Sequence, residues 1–169
     1  LAPVQPDTAT FRTAVNFDAL PVSHGKVGIS TDRAFHFFSG LMVDIGARVL
    51  ATAGSDEKCR ACERLGAERA INYRTEDFVE AVKRCTGGRG VDVILDIVGG
   101  DYVPRDLLSL AVEGRLVVIG FMGGDTATID FKRVLGRRLT ITGSTLRPRS
   151  VEEKGQLAIA LRSEVWPLL

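Results

Sequence analysis

The 169-residue sequence predicts an α/β fold built on a doubly wound parallel sheet, in a single domain. Three observations predict it. Short runs such as Arg48–Ala53 (RVLATA), Val91–Asp96 (VDVILD) and Arg115–Gly120 (RLVVIG) are largely apolar and β-branched, the mark of strands covered on both faces. The stretches between them place apolar residues three and four apart, the period of helices. Glycines close most of these units, at Gly46, Gly54, Gly66, Gly87-Gly88, Gly99-Gly100 and Gly123-Gly124.

The elements follow in order. Leu1 to Ser23 carries Pro3, Pro6 and Pro21 with weak periodicity and reads as an irregular lead-in, with a short helix around Phe11 to Phe17. The folded domain is then expected over 24–169. Lys26–Ile29 reads as a first strand. Ala34, Phe35, Phe38, Leu41, Met42 and Ile45 share one helical face, capped by Thr31 or Asp32 and ended by Gly46. Arg48–Ala53 is a buried strand. Ser55 caps the next helix, with Asp56 and Glu57 in the first turn, where the helix dipole favours acids. Ala70–Asn72 is a short strand, and Thr75 opens a helix through Phe78, Val79 and Val82. Val91–Asp96 is the next strand, a helix runs from about Val103 to Leu110, and Arg115–Gly120 is another strand. A short helix near Phe131–Leu135 and a last strand, Leu139–Ser144, follow. Ser150-Val151-Glu152-Glu153 is a capping box that starts a final helix.

Composition excludes several classes of function. Hydrophobic residues make up 45% and charged residues 25%, an ordinary globular balance. A net charge of +1 offers no electrostatic case for nucleic acid or an anionic membrane. No apolar run approaches the roughly 20 residues of a membrane span, and Leu1 to Asp18 lacks the basic start and apolar run of a signal peptide. The chain opens on Leu1 rather than Met, as a fragment or processed chain does. Of the three cysteines, Cys59 and Cys62 form a C-x-x-C, but they fall within a helical pattern and His24 and His36 lack ligand spacing. No metal site is expected, and the odd cysteine count suits a cytoplasmic protein.

In doubly wound sheets ligands bind at the carboxyl ends of strands, so the residues just after each strand are the candidates. After Arg48–Ala53 comes Gly54-Ser55-Asp56-Glu57-Lys58. In dinucleotide folds this turn meets the adenosine ribose, and an acid there selects NAD. Ser55 can donate to a 2′-phosphate, at a helix N-terminus that favours an anion, and Lys58 can neutralise it. NADPH is therefore the expected cofactor, although Ser55 is also an ordinary cap and Lys58 an ordinary solvated side chain. Gly99 and Gly100 follow the next strand, where paired glycines let a backbone approach a flat ligand. Gly120, Phe121 and Met122 follow the strand after that, where backbone groups can bracket a nicotinamide. Each glycine pair also suits a tight turn alone. Tyr102 packs and Asp96 supports a turn in the plainer reading, so no catalytic acid, base or nucleophile is assigned.

The run GARVLATAGSDEKCRACERLGAERAINYRTEDF, then GGRGVDVILDIVGGDY, then GRLVVIGFMGG, resembles the zinc-free quinone oxidoreductase (zeta-crystallin-like) branch of the medium-chain dehydrogenase/reductase superfamily, from about Gly46 onward. The resemblance implies a Rossmann-type dinucleotide-binding domain of an enzyme that transfers hydride from NADPH to a quinone or enone. It implies that Ser55, Lys58 and Tyr73 grip the 2′-phosphate and that Gly120, Phe121 and Met122 line the nicotinamide ribose. It also implies a GroES-like domain completing the substrate cleft, and a homodimer through the edge strand Leu139–Ser144. Two features depart from the family. The nearest segment to a glycine-rich pyrophosphate loop is His24-Gly25-Lys26-Val27-Gly28-Ile29-Ser30-Thr31, where Gly25 and Gly28 are the candidate contacts, and a GroES-like domain is not expected within these 169 residues. A non-catalytic remnant or interaction domain, and an enoyl reductase module of a larger synthase, are the alternative readings.

Overall fold

A computed structural model describes residues 12–16 and 48–168. Six strands form one parallel sheet: β1 (Arg12–Asn16), β2 (Arg48–Ala53), β3 (Arg69–Asn72), β4 (Val91–Asp96), β5 (Leu110–Val118) and β6 (Thr140–Gly143). Their order is β3-β2-β1-β4-β5-β6, that of the doubly wound dinucleotide fold. Between and after them lie α1 (Asp56–Arg64), α2 (Phe78–Cys85), α3 (Tyr102–Ser109), α4 (Phe131–Arg137) and α5 (Val151–Ala160).

The first correction falls at the centre of the sheet. Arg12–Asn16 lies in the segment expected to be an irregular lead-in with a short helix, yet it is a strand between β2 and β4. It pairs along its whole length with β2, from Arg12 opposite Arg48 to Asn16 opposite Thr52. Such pairing is non-local, and five residues hold no periodicity that announces it. The expected strand Lys26–Ile29, the helix ending at Gly46, and Gly25 and Gly28 all lie outside the described residues.

Alternation along β2 builds the two layers. Val49, Ala51 and Ala53 face α1, where Cys59 and Cys62 complete a small apolar cluster. The C-x-x-C thus serves as two buried core thiols one helical turn apart. Leu50 points the other way, joining Ile71, Ile94, Leu116, Phe78, Val82 and Leu107 in the larger core. Burying each such aliphatic side chain contributes about 1.5–3 kcal/mol, so this layer is the main anchor of α2 and α3.

Local chemistry sets the boundaries. α2 starts at Asp77, not at Thr75. The Asp77 carboxylate accepts from the Val79 and Glu80 amides at 2.8 and 3.1 Å, whereas the Thr75 hydroxyl donates back to the Asn72 carbonyl. β5 begins at Leu110, before the expected Arg115. Its register against β4 shifts between Val91 and Val93, and Glu113 turns to φ 64° at the irregularity. α5 opens on the expected capping box, with Ser150 and Glu153 satisfying each other's amides. No helix among the described residues is long and apolar enough to cross a membrane.

Candidate functional site

The carboxyl ends of β2, β1, β4 and β5 form one rim of the sheet, and chain direction reverses its winding between β1 and β4. That switch point is where open α/β sheets bind ligands. From β2 to β5 the rim spans three strand spacings, about 14 Å, the scale of an extended dinucleotide.

At the β2 end, Ser55 caps α1. Its hydroxyl oxygen accepts from the Lys58 amide at 3.3 Å, and its carbonyl accepts from the Cys59 amide. Capping uses a lone pair and leaves the hydroxyl hydrogen to donate elsewhere. The first-turn amides of α1 have no intrahelical acceptor and carry the positive end of the helix dipole. Tyr73 follows β3 directly. Its amide donates to the Ala53 carbonyl at 3.1 Å, which brings it beside the β2 turn. Its half-buried ring meets Tyr102 edge-on, with centroids 6.1 Å apart, and Tyr102 in turn stacks on Phe78. The Arg105 guanidinium lies 4.2 Å over the Phe78 ring and pairs with Asp77. Tyr73, which the family resemblance groups with Ser55 and Lys58, thus lies at the end of β3 beside the turn that carries them. Tyr102 packs there, as the plainer reading held. This donor set, a hydroxyl, helix N-terminal amides and a lysine, fits a phosphate.

Asp56 and Glu57 bring acids to the same turn. The structure adds a partner that the sequence did not reveal: the Asn72 side-chain amide donates to Asp56 Oδ1 at 2.6 Å.

At the other end of the rim, two loops are joined along their backbones. Asp96, the last residue of β4, is 2% exposed, and its carboxylate accepts from the amides of Val98 (2.7 Å) and Gly99 (3.0 Å). It supports a turn, as expected. Ile119 N–H donates to the Asp96 carbonyl and Gly123 N–H to the Val98 carbonyl, and Gly99 bridges to Gly124. Cβ atoms on Gly99, Gly100 and Gly120 would lie 2.6, 2.5 and 2.8 Å from the carbonyl oxygens of Gly124, Gly123 and Ile97. Contact between the loops accounts for these glycines. Gly99 and Gly100 are buried, whereas Phe121 and Met122 stand 67% and 66% exposed on the rim.

Behind Asp96 lies a second carboxyl. Burial pushes Asp106 up to about 8, the Asp96 charge adds to this, and Arg105 opposes it. Among the described residues its Oδ2 has no hydrogen-bond partner. Among the same residues no group of three or more His, Cys, Asp or Glu side chains is placed to hold a metal ion.

Comparison with known proteins places this geometry. Residues 41–161 match the family model described as zinc-binding dehydrogenase. The chain is 35% identical over 143 residues to quinone oxidoreductase-like protein 2 of Rattus norvegicus, covering 73% of this chain and 41% of that protein. It is 30% identical over 118 residues to quinone oxidoreductase of Homo sapiens, covering 70% and 35%. The crystal structure of Escherichia coli quinone oxidoreductase in complex with NADPH superposes with a TM-score of 0.67 at 26% identity, over 92% of this chain and 46% of that one. The chain thus spans less than half the length of these relatives. A matched family model over most of the chain, the dinucleotide strand order and these relatives lead to one conclusion: the chain belongs to the zinc-binding dehydrogenase family, as a member of its zinc-free, quinone oxidoreductase-like branch.

Proposed function

We propose that this chain is the NADPH-binding part of an oxidoreductase that reduces a quinone or enone. The observation that carries the reading is the corner formed by Ser55, Lys58 and Tyr73 at the ends of β2 and β3, at the N-terminus of α1. The Ser55 hydroxyl and the α1 amides bind the 2′-phosphate, Lys58 supplies the counter-charge, and Tyr73 flanks them, held by Tyr102. When bound, the reduced nicotinamide supplies a hydride. The joined loops carrying Gly99, Gly100 and Gly120 set the floor at that end, and Phe121 and Met122 present an apolar wall that keeps water from the reacting face. Positioning is what these residues contribute, and no catalytic acid, base or nucleophile is assigned. Gly25 and Gly28 are proposed as pyrophosphate contacts in the connection that follows β1.

The same reading includes a GroES-like partner domain for the substrate, a cytoplasmic setting, and a homodimer through β6. In support of the dimer, among the described residues β6 pairs only with β5, so its outer edge has no partner strand there, and Ile141 of β6 is exposed. Calorimetric titration with NADPH and NADH tests the central claim. The expected result is at least tenfold tighter binding of NADPH. Equal affinities would refute the 2′-phosphate site.

A further inference from the structure

The turn after β2 holds two features of opposite effect. Ser55 and Lys58 suit a phosphate. Asp56, one residue on, is the type of side chain that accepts from a ribose 2′-hydroxyl and repels a phosphate there. The structure gives this carboxylate a specific restraint. Asn72 Nδ2 donates to Asp56 Oδ1 at 2.6 Å, and Asn72 is itself held in place. It ends β3 opposite Ala53, and its Oδ1 accepts from the Arg74 amide at 3.2 Å. That second bond fixes which way the amide faces: oxygen toward Arg74, nitrogen toward Asp56. β3 lies on the far side of β2 from β1, so the tether draws Asp56 toward the outer edge of the sheet and away from the switch point.

We infer that Asn72 is a specificity-determining residue: its side-chain amide holds the Asp56 carboxylate aside and so allows a 2′-phosphate at this turn. The inference rests on the NADPH reading above and deepens it. What the tether changes is the carboxylate's distance and the lone pair it offers, and both decide between a phosphate and a hydroxyl.

The test is a two-residue cycle on the full chain, read as the ratio of NADPH to NADH affinity by calorimetry at fixed ionic strength. Asn72→Ser keeps an oxygen that can accept from the Arg74 amide but is too short to reach Asp56. It is expected to lower the ratio about tenfold, an effect of roughly one unit in log Kd. In an Asp56→Ala background the same substitution should leave the ratio within about twofold, because nothing remains to restrain. A merely structural role for Asn72 would lower stability in both backgrounds without this dependence on Asp56. Asn72→Thr, a better strand former, carries the same expectation if the serine variant does not fold. An unchanged ratio in a folded Asn72 variant, or an equal drop with and without Asp56, overturns the inference while leaving the NADPH reading intact. A wild-type chain that binds neither nucleotide overturns both.

Discussion

Gly99 faces Gly124 so closely that a Cβ on Gly99 would lie 2.6 Å from the Gly124 carbonyl oxygen. This contact joins the loop after β4 to the loop after β5 as a parallel bridge, and Gly99 reaches it at φ 68°. Gly99→Ala therefore meets two penalties, a left-handed backbone and a collision with backbone. It should cost about 2 kcal/mol or more, against about 1 kcal/mol for Gly87→Ala, which shares the positive φ but has nothing within 4 Å of its Cβ. Urea unfolding of both variants measures the difference. Equal losses would show that the loops can separate freely.

Ser55 has two roles that respond to different measurements. Ser55→Ala removes the cap of α1 and should lower stability by about 1 kcal/mol. It also removes a hydrogen bond to a charged group, worth about 1.5–3 kcal/mol, so NADPH affinity should fall roughly tenfold to a hundredfold. NADH affinity should stay within a few-fold. A parallel loss for both nucleotides would assign Ser55 to helix capping alone.

Asp106 predicts an unusual pH dependence. Its carboxyl ordinarily titrates near 3.8, but in the fold burial and then the Asp96 charge raise it to about 8. Between these values the native protein keeps a proton that the unfolded chain has released. This contribution to stability is therefore present in full below about pH 4, falls as pH rises, and levels off above about pH 8. Asp106→Asn lacks the titration. Thermal melts should show wild type and variant close at pH 4, with the variant higher by a gap that widens toward pH 8. Each kcal/mol corresponds to about 2–4 °C, so several degrees are expected. Parallel curves would count against a buried neutral Asp106.

Tyr102 supports Tyr73 from α3 through the edge-on ring contact. Tyr102→Leu keeps an apolar side chain but loses both aromatic contacts, each worth about 0.5–1.5 kcal/mol. A stability loss of about 1–2 kcal/mol is expected, with NADPH affinity weakened several-fold as Tyr73 loosens. Intrinsic fluorescence during nucleotide titration reports both. Unchanged affinity in a destabilised variant would separate Tyr73 from the nucleotide.

Much of the candidate site was legible because its signals are local. Ser55 follows an apolar strand after a single glycine and precedes two acids, and that order alone identifies a capped helix at a strand's carboxyl end. Ser150 with Glu153 is the same kind of signal. Thr75 shows the limit of such signals. Threonine and Asp77 are both good caps, and only the hydrogen bonds Asp77 makes to Val79 and Glu80 decide between them. The Asn72–Asp56 bond joins residues 16 apart on different elements, and no spacing rule reveals it.

The sequence by itself determined the alternation of strands and helices from Arg48 onward, the α/β class, and the capped helix that Ser55 opens after β2. These rest on periodicity, caps and glycines, properties that a few neighbouring residues express. Tertiary structure alone decided that Arg12–Asn16 completes the centre of the sheet, that Gly99 and Gly100 serve contact between loops, and that Asp106 shares buried space with Asp96. Each of these depends on what lies across a gap in sequence. Strand pairing, close backbone approach and desolvation are set by neighbours in space, which the local pattern does not carry.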